Sequence, residues 1–125
     1  MSVLHRSIIT SKVIPMIAFK VSLNGNRVCV AGDEDMAVLT AGVTAVGELG
    51  KKTVRPDSDE KSQYIGYRVG GMTGRHDPEK DVFVNWVSGA PLQMGDVIQI
   101  KVFETDKVDR AKSRKNAARY LRARE

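Results

Sequence analysis

Between residues 17 and 31 the side chains alternate with a period of two, and one asparagine–glycine pair interrupts the pattern. Ile17, Phe19, Val21 and Leu23 alternate with Ala18, Lys20, Ser22 and Asn24. That period places the first set on one face of a strand. Asn24-Gly25 supplies the two positive-φ residues of a type I′ turn, so the segment is a β-hairpin. With this pair as the loop, Val21 opposes Val28 and Phe19 opposes Val30. A Gly25-Asn26 loop slides the register by two residues and keeps the same parity. In either case Cys29 is expected to point away from the apolar face, as a small half-buried residue and not a nucleophile.

The rest of the chain repeats the theme with less clarity. Residues 33–50 carry two patterns. Met36, Leu39, Val43 and Val46 have helical spacing, with Asp33 as a cap and Gly50 as a stop. Leu39, Ala41, Val43 and Ala45 alternate as a strand would. The β-branched Val38, Thr40, Val43, Thr44 and Val46, with Gly42 and Gly47 inside the run, favour the strand. A polar loop around Pro56 fills 50–62. Residues 64–71 read as a strand with Ile65, Tyr67 and Val69 facing in, and Gly70, Gly71 and Gly74 as a bulge and turn. Residues 82–87 follow as a strand too apolar to assign a face. Within it Trp86, the single tryptophan, should anchor the core, its N–H seeking a partner. A turn at 89–91 and a tight bend at 92–96 lead into a strand over 97–105, where Ile98, Ile100 and Val102 alternate with Gln99 and Lys101.

Five or six short strands separated by turns predict an all-β domain: a small antiparallel β-sandwich or closed barrel with a basic C-terminal helix. At 125 residues one core suffices. The expected organisation is an N-terminal extension at 1–15, an antiparallel β domain at 16–106 and a basic helical tail at 107–125. The extension lacks a continuous apolar core and a cleavage site, so it does not read as a secretory signal. An upstream start or an edge strand would each account for it. The tail has good helix formers and no Gly or Pro over 108–124, with a thin apolar stripe of Ala117, Ala118 and Leu121. A helix that short is marginal in water unless it docks.

Charge is unevenly placed. The last 19 residues hold eight bases against two acids, whereas the preceding 106 hold twelve against thirteen. A polyanion or an acidic protein surface is the implied partner of such a tail, if it is more than a solvated face. Cys29 is alone and cannot form an internal bridge, which fits a reducing compartment and gives a cytoplasmic expectation. No apolar run approaches membrane-spanning length, so no membrane partner is expected.

Reactive constellations are absent from the linear sequence. The two histidines are His5, in the extension, and His76, in a turn beside Asp77. Neither lies in a nucleophile motif, and Asp77 reads as turn chemistry. One cysteine and two histidines fall short of a structural zinc site, and the acidic clusters at 33–35 and 57–60 lack calcium-loop spacing. Gly70-Gly71-x-x-Gly74 is followed by Pro78 and a strand, not by the helix a phosphate cradle needs. No catalytic residue, metal or cofactor is assigned. Leu92-x-x-Gly95-Asp96-x-Ile98-x-Ile100-x-Val102 recurs in small β-barrels, RNA-binding OB types among them, and speaks for fold, not function. Phe103, opposite that apolar face and beside Lys101, is the best candidate for an exposed stacking aromatic.

Taken together, IAFKVSLNGNRVCVAG, YRVGG, NWV and LQMGDVIQIKVFETDKVD resemble a family of small bacterial all-β proteins of uncharacterised function, over about residues 16–109. The resemblance implies a common fold and a start at Met16, and carries no catalytic residues over.

Three functional expectations follow, in order. The first is a non-enzymatic β domain that binds a protein partner through a sheet edge or face. The second is a nucleic-acid-associated protein whose tail residues Arg110, Lys112, Arg114, Lys115, Arg119 and Arg122 neutralise phosphates. The third is an enzyme with a dispersed site near His76.

Overall fold

The computed structural model describes residues 15–54 and 63–123. The expectations for 1–14, His5 included, and for most of the polar loop lie outside those residues. The described chain forms seven strands: β1 (Met16–Leu23), β2 (Asn26–Ala31), β3 (Met36–Val46), β4 (Tyr64–Thr73), β5 (Val82–Pro91), β6 (Ile98–Thr105) and β7 (Ser113–Asn116). A 3₁₀ turn (Pro78–Lys80) precedes β5, and a short helix α1 (Ala117–Ala123) ends the described chain. The strands make two antiparallel sheets, ordered β2-β1-β6 and β3-β4-β5-β7. Among the described residues no sheet closes on itself, so the barrel alternative is not realised.

The first hairpin turns where expected, with Asn24 at φ 51° and Gly25 at φ 84°. Its register is not the expected one. Ser22 pairs with Arg27 and Val21 with Cys29, which leaves Val28 as an extra residue in a β-bulge. One inserted residue reverses side-chain parity beyond it. Cys29 therefore joins Val21 on the inward face and is buried, instead of pointing away.

Residues 36–46 are a strand, as the β-branched run favoured, and the helical spacing plays no part. In β4 Tyr67 and Val69 are buried and Ile65 is half-buried. The Gly70-Gly71 pair lies inside β4 next to a register shift against β5. A Cβ on Gly71 would collide with the Val38 carbonyl, so this glycine lets β3 approach β4 closely. In β5 Val84 and Trp86 face the core.

The core joins the two sheets. Val21, Cys29 and Ala31 from the first pack with Tyr67, Val69, Val84 and Trp86 from the second. The segment 106–112 straps them together. Val108 lies within reach of Ala18 and Gly32, and Ala111 packs against the core. Between them Asp109 bonds in two directions. Its N–H donates to the Val30 carbonyl at 2.8 Å, and its carboxylate accepts from the Val30 N–H at 2.8 Å and from Arg27 at 2.6 Å. Its own carbonyl accepts the Trp86 indole N–H at 2.8 Å. The tryptophan thus finds the partner its burial demands.

The C-terminal region differs from the single helix expected over 108–124. Ser113–Asn116 is a strand on the outer edge of β5, and only Ala117–Ala123 is helical. No apolar period marks SRKN as a strand; β5 supplies the edge that makes it one. The side chain of Asn116 then accepts the Arg119 N–H at 2.6 Å, capping the helix.

On β6 the expected apolar filling is incomplete. Ile98 packs on the core, but Ile100 and Val102 are largely exposed. Phe103 is half-buried, with the Lys101 ammonium 5.4 Å from its ring centre, so it is not the open stacking platform expected.

Asp109→Ala should cost about 1–3 kcal/mol in a urea melt, because it strands the part-buried Val30 N–H. Arg27→Ala, which removes only the exposed half of the ion pair, should cost under ~1 kcal/mol. Equal losses would show that the pair and not the backbone bond matters. A second prediction concerns Asp96, which accepts from the Gln93 N–H and the Asn24 side chain and so has its pKa lowered. Its stabilising contribution is present above the ordinary pKa of 3.8 and is lost as pH falls through the lowered value. Asp96→Asn should flatten the acid limb of a stability–pH profile, and an unchanged limb would contradict this assignment.

Candidate functional site

Pairing across the first sheet fixes which side chains face inward. Val21 is fully buried and pairs with Ile100; Phe19 pairs with Val102. Residues directly opposite share a face, as do residues two apart. Ile17, Ile100 and Val102 therefore lie on the same inward face as Val21. Yet Ile17 is 63% exposed, Val102 66% and Ile100 40%. The second sheet repeats this at its edge, where Val43 pairs with the buried Tyr67 and is 53% exposed. The strap after β6 ties β2 to β5, while β1 contacts β3. The edges β6 and β3, unpaired among the described residues, are thus on one side of the molecule, and there the two inner faces extend beyond their mutual contact.

A cleft of about 970 Å³ opens beside this seam. Met16, Ile17 and Phe19 of β1 and Met36, Ala37 and Leu39 of β3 give it an apolar wall. Asp33, Glu34, Asp35 and Asp106 complete it, and among the described residues no Lys or Arg lines it. Asp33 pairs with Arg114 and Asp35 with Arg75 from outside the cleft; Glu34 and Asp106 are exposed, with no ion pair among the described residues. In the sequence the acids at 33–35 look like a helix cap or a solvated cluster. Nothing in the alternation of β1 and β6 announces that Ile17, Ile100 and Val102 stay uncovered, since coverage depends on the other sheet.

The six basic tail residues do not form one ridge. Arg114 faces Asp33 across the strap at 2.5 Å, and Arg122 reaches Glu79 at 3.3 Å. Lys115, next along β7 and so on the opposite face, sits beside Phe83. Arg110, Lys112 and Arg119 are exposed. The Lys112 N–H donates to the Asn85 carbonyl and the Ala117 N–H to that of Asp81. The tail is thus built into the fold: cutting the chain after Asp106 would remove the strap, Asp109 and β7 together.

His76 lies exposed in the turn before the 3₁₀ helix. Its neighbour Asp77 caps that helix by accepting the Glu79 N–H at 3.0 Å. Asp81 is likewise occupied, accepting from Thr73 at 3.1 Å and from the Arg75 N–H at 2.7 Å. Among the described residues no three His, Cys, Asp or Glu side chains converge to hold a metal. No described helix is long and apolar enough to cross a membrane. Burial, and then the nearby Asp109 carboxylate, push the Cys29 thiol up to about 11 against the opposing pull of Arg27. The thiolate that a nucleophile requires is thereby disfavoured.

No family model, curated protein or solved structure matches the chain.

The Cys29 thiol should resist iodoacetamide at pH 8 in the native protein and react once urea unfolds it. Its raised pKa also sets a sign. The stabilising contribution is complete below the ordinary value of 9.0 and is lost as pH rises through about 11. A Cys29→Ser protein with the same alkaline limb in a pH–stability profile, or rapid native alkylation, would contradict the burial of this thiol.

Proposed function

We propose that the protein is a non-enzymatic binding module, a two-layer β-sandwich that takes up an extended segment of another protein along its open side. The observation that carries the reading is the row of inward-facing side chains, Ile17, Ile100, Val102 and Val43, left exposed between two strand edges that are unpaired among the described residues. Unpaired edges present backbone donors and acceptors to an incoming strand. Strand addition gains main-chain hydrogen bonds from the edge and specificity from alternate side chains. Charge complementarity specifies the occupant: an acidic cleft with an apolar wall and no base suits a segment that alternates apolar residues with Lys or Arg. The unpaired Cys29 suits work in a reducing compartment such as the cytoplasm.

The test is an amide NMR titration with a ten-residue peptide alternating Val and Lys. Shifts should concentrate on β3 and β6. Glu34→Lys with Asp106→Lys should weaken binding at least tenfold, and Val102→Lys should do the same, while thermal stability stays near that of the parent. Shifts elsewhere, or indifference to charge reversal, would overturn the proposal. So would a dimer in sedimentation that Val102→Lys dissociates, since a second copy would then occupy the seam.

A further inference from the structure

The outer face of the second sheet carries a separate groove of about 560 Å³ with the opposite chemistry. Its rows run across the strands. Val38, Met72, Phe83 and Lys115 form one row, and Thr40, Gly70 and Asn85 the next. Arg68 and Ser88 pair beyond them. Tyr120 of α1 leans over the first row, its ring meeting Phe83 edge-on with centroids 5.6 Å apart at 84°.

Gly70 shapes the floor. A Cβ there would stand 2.5 Å from the Asn85 side-chain oxygen, so only glycine lets this amide lie across the centre of the groove. At opposite corners stand Arg68 and Lys115, both exposed and neither in an ion pair among the described residues. They are two strands apart and four residues out of register. Their Cα atoms are thus separated by roughly 16 Å, at 4.8 Å between strands and 3.3 Å per residue. Among the described residues no carboxylate lines the groove.

We infer that this groove binds a short stretch of single-stranded nucleic acid. Two cations at the ends meet phosphates, and their separation exceeds one nucleotide step. The Phe83–Tyr120 pair between them and the rim offers aromatic surface for a base, which is sequence-tolerant because every base has a π-face. The Asn85 amide, with both donors and an acceptor, suits base edges. An acidic peptide would satisfy the two cations but leave the aromatic pair and the amide without use. Of the six tail residues only Lys115 belongs to this site, and Arg68, its counterpart, comes from β4.

The experiment is fluorescence anisotropy with a labelled twelve-nucleotide single strand of mixed sequence, on the full chain, over a range of salt. Arg68→Ala and Lys115→Ala should each weaken binding several-fold and flatten the log–log salt slope by about 0.7, one phosphate contact apiece. Both side chains are exposed, so the variants should keep the parent's amide spectrum. The double variant Arg110→Ala/Lys112→Ala removes two charges outside the groove, twice what either single variant removes, and should bind within twofold of the parent. A duplex of the same sequence should bind more weakly, its bases being already stacked. No binding at low salt, equal loss in both sets of variants, or equal affinity for the duplex would each overturn the inference. So would a polyglutamate peptide that displaces the strand and moves the Phe83 and Tyr120 ring resonances to the same extent.

Discussion

Asp109 is where the two sheets are fastened. Its backbone N–H and its carboxylate both engage Val30, so the strap pairs with the outer edge of β2. Its carbonyl receives the indole of the buried Trp86 from β5. A buried indole N–H without an acceptor costs about 1–3 kcal/mol, so the tryptophan and the strap need one another. Once they meet, Ala111 enters the core and Lys112 delivers the chain to β5, where it continues as β7. The positions of Lys112, Arg114 and Lys115 descend from this one junction.

The same junction explains why the molecule is closed on one side and open on the other. The strap covers β2 and reaches β5; nothing equivalent covers β6 or β3 among the described residues. Ile100 and Val102 of β6 and Val43 of β3 face inward and are left exposed among the described residues. Proteins usually blunt such edges with charge or cover. Here Lys101 on β6 lies over Phe103 on the outward face, and the inward face keeps Ile100 and Val102. An uncovered apolar edge beside a cleft of carboxylates is the feature on which the proposed binding of an extended segment rests.

Two faces of one small domain thus differ in sign. The cleft between the sheets has acids and no bases, and the outer groove has bases and no acids. Ion pairs temper the contrast, since Arg114 at Asp33 and Arg75 at Asp35 offset two of the cleft's four carboxylates and leave Glu34 and Asp106.

Local rules made much of the β structure legible. Alternation and Asn24-Gly25 give the first hairpin, β-branched residues decide for a strand at 36–46, and Trp86 announces a buried anchor. Three things escaped because they depend on neighbours distant in sequence. A single bulge residue, Val28, reversed the side on which Cys29 lies, and no local pattern distinguishes a bulge from a regular ladder. The SRKN run became a strand because β5 had an unpaired edge, whereas its own composition suits a helix equally well. Ile100 and Val102 have the alternation of core residues and yet stand exposed, because coverage belongs to the opposing sheet. The sequence by itself determined which residues alternate, where the chain turns and that the protein is mostly β. Only the tertiary structure decided which apolar faces are covered and which charges stand together, because both depend on how far one sheet overlaps the other.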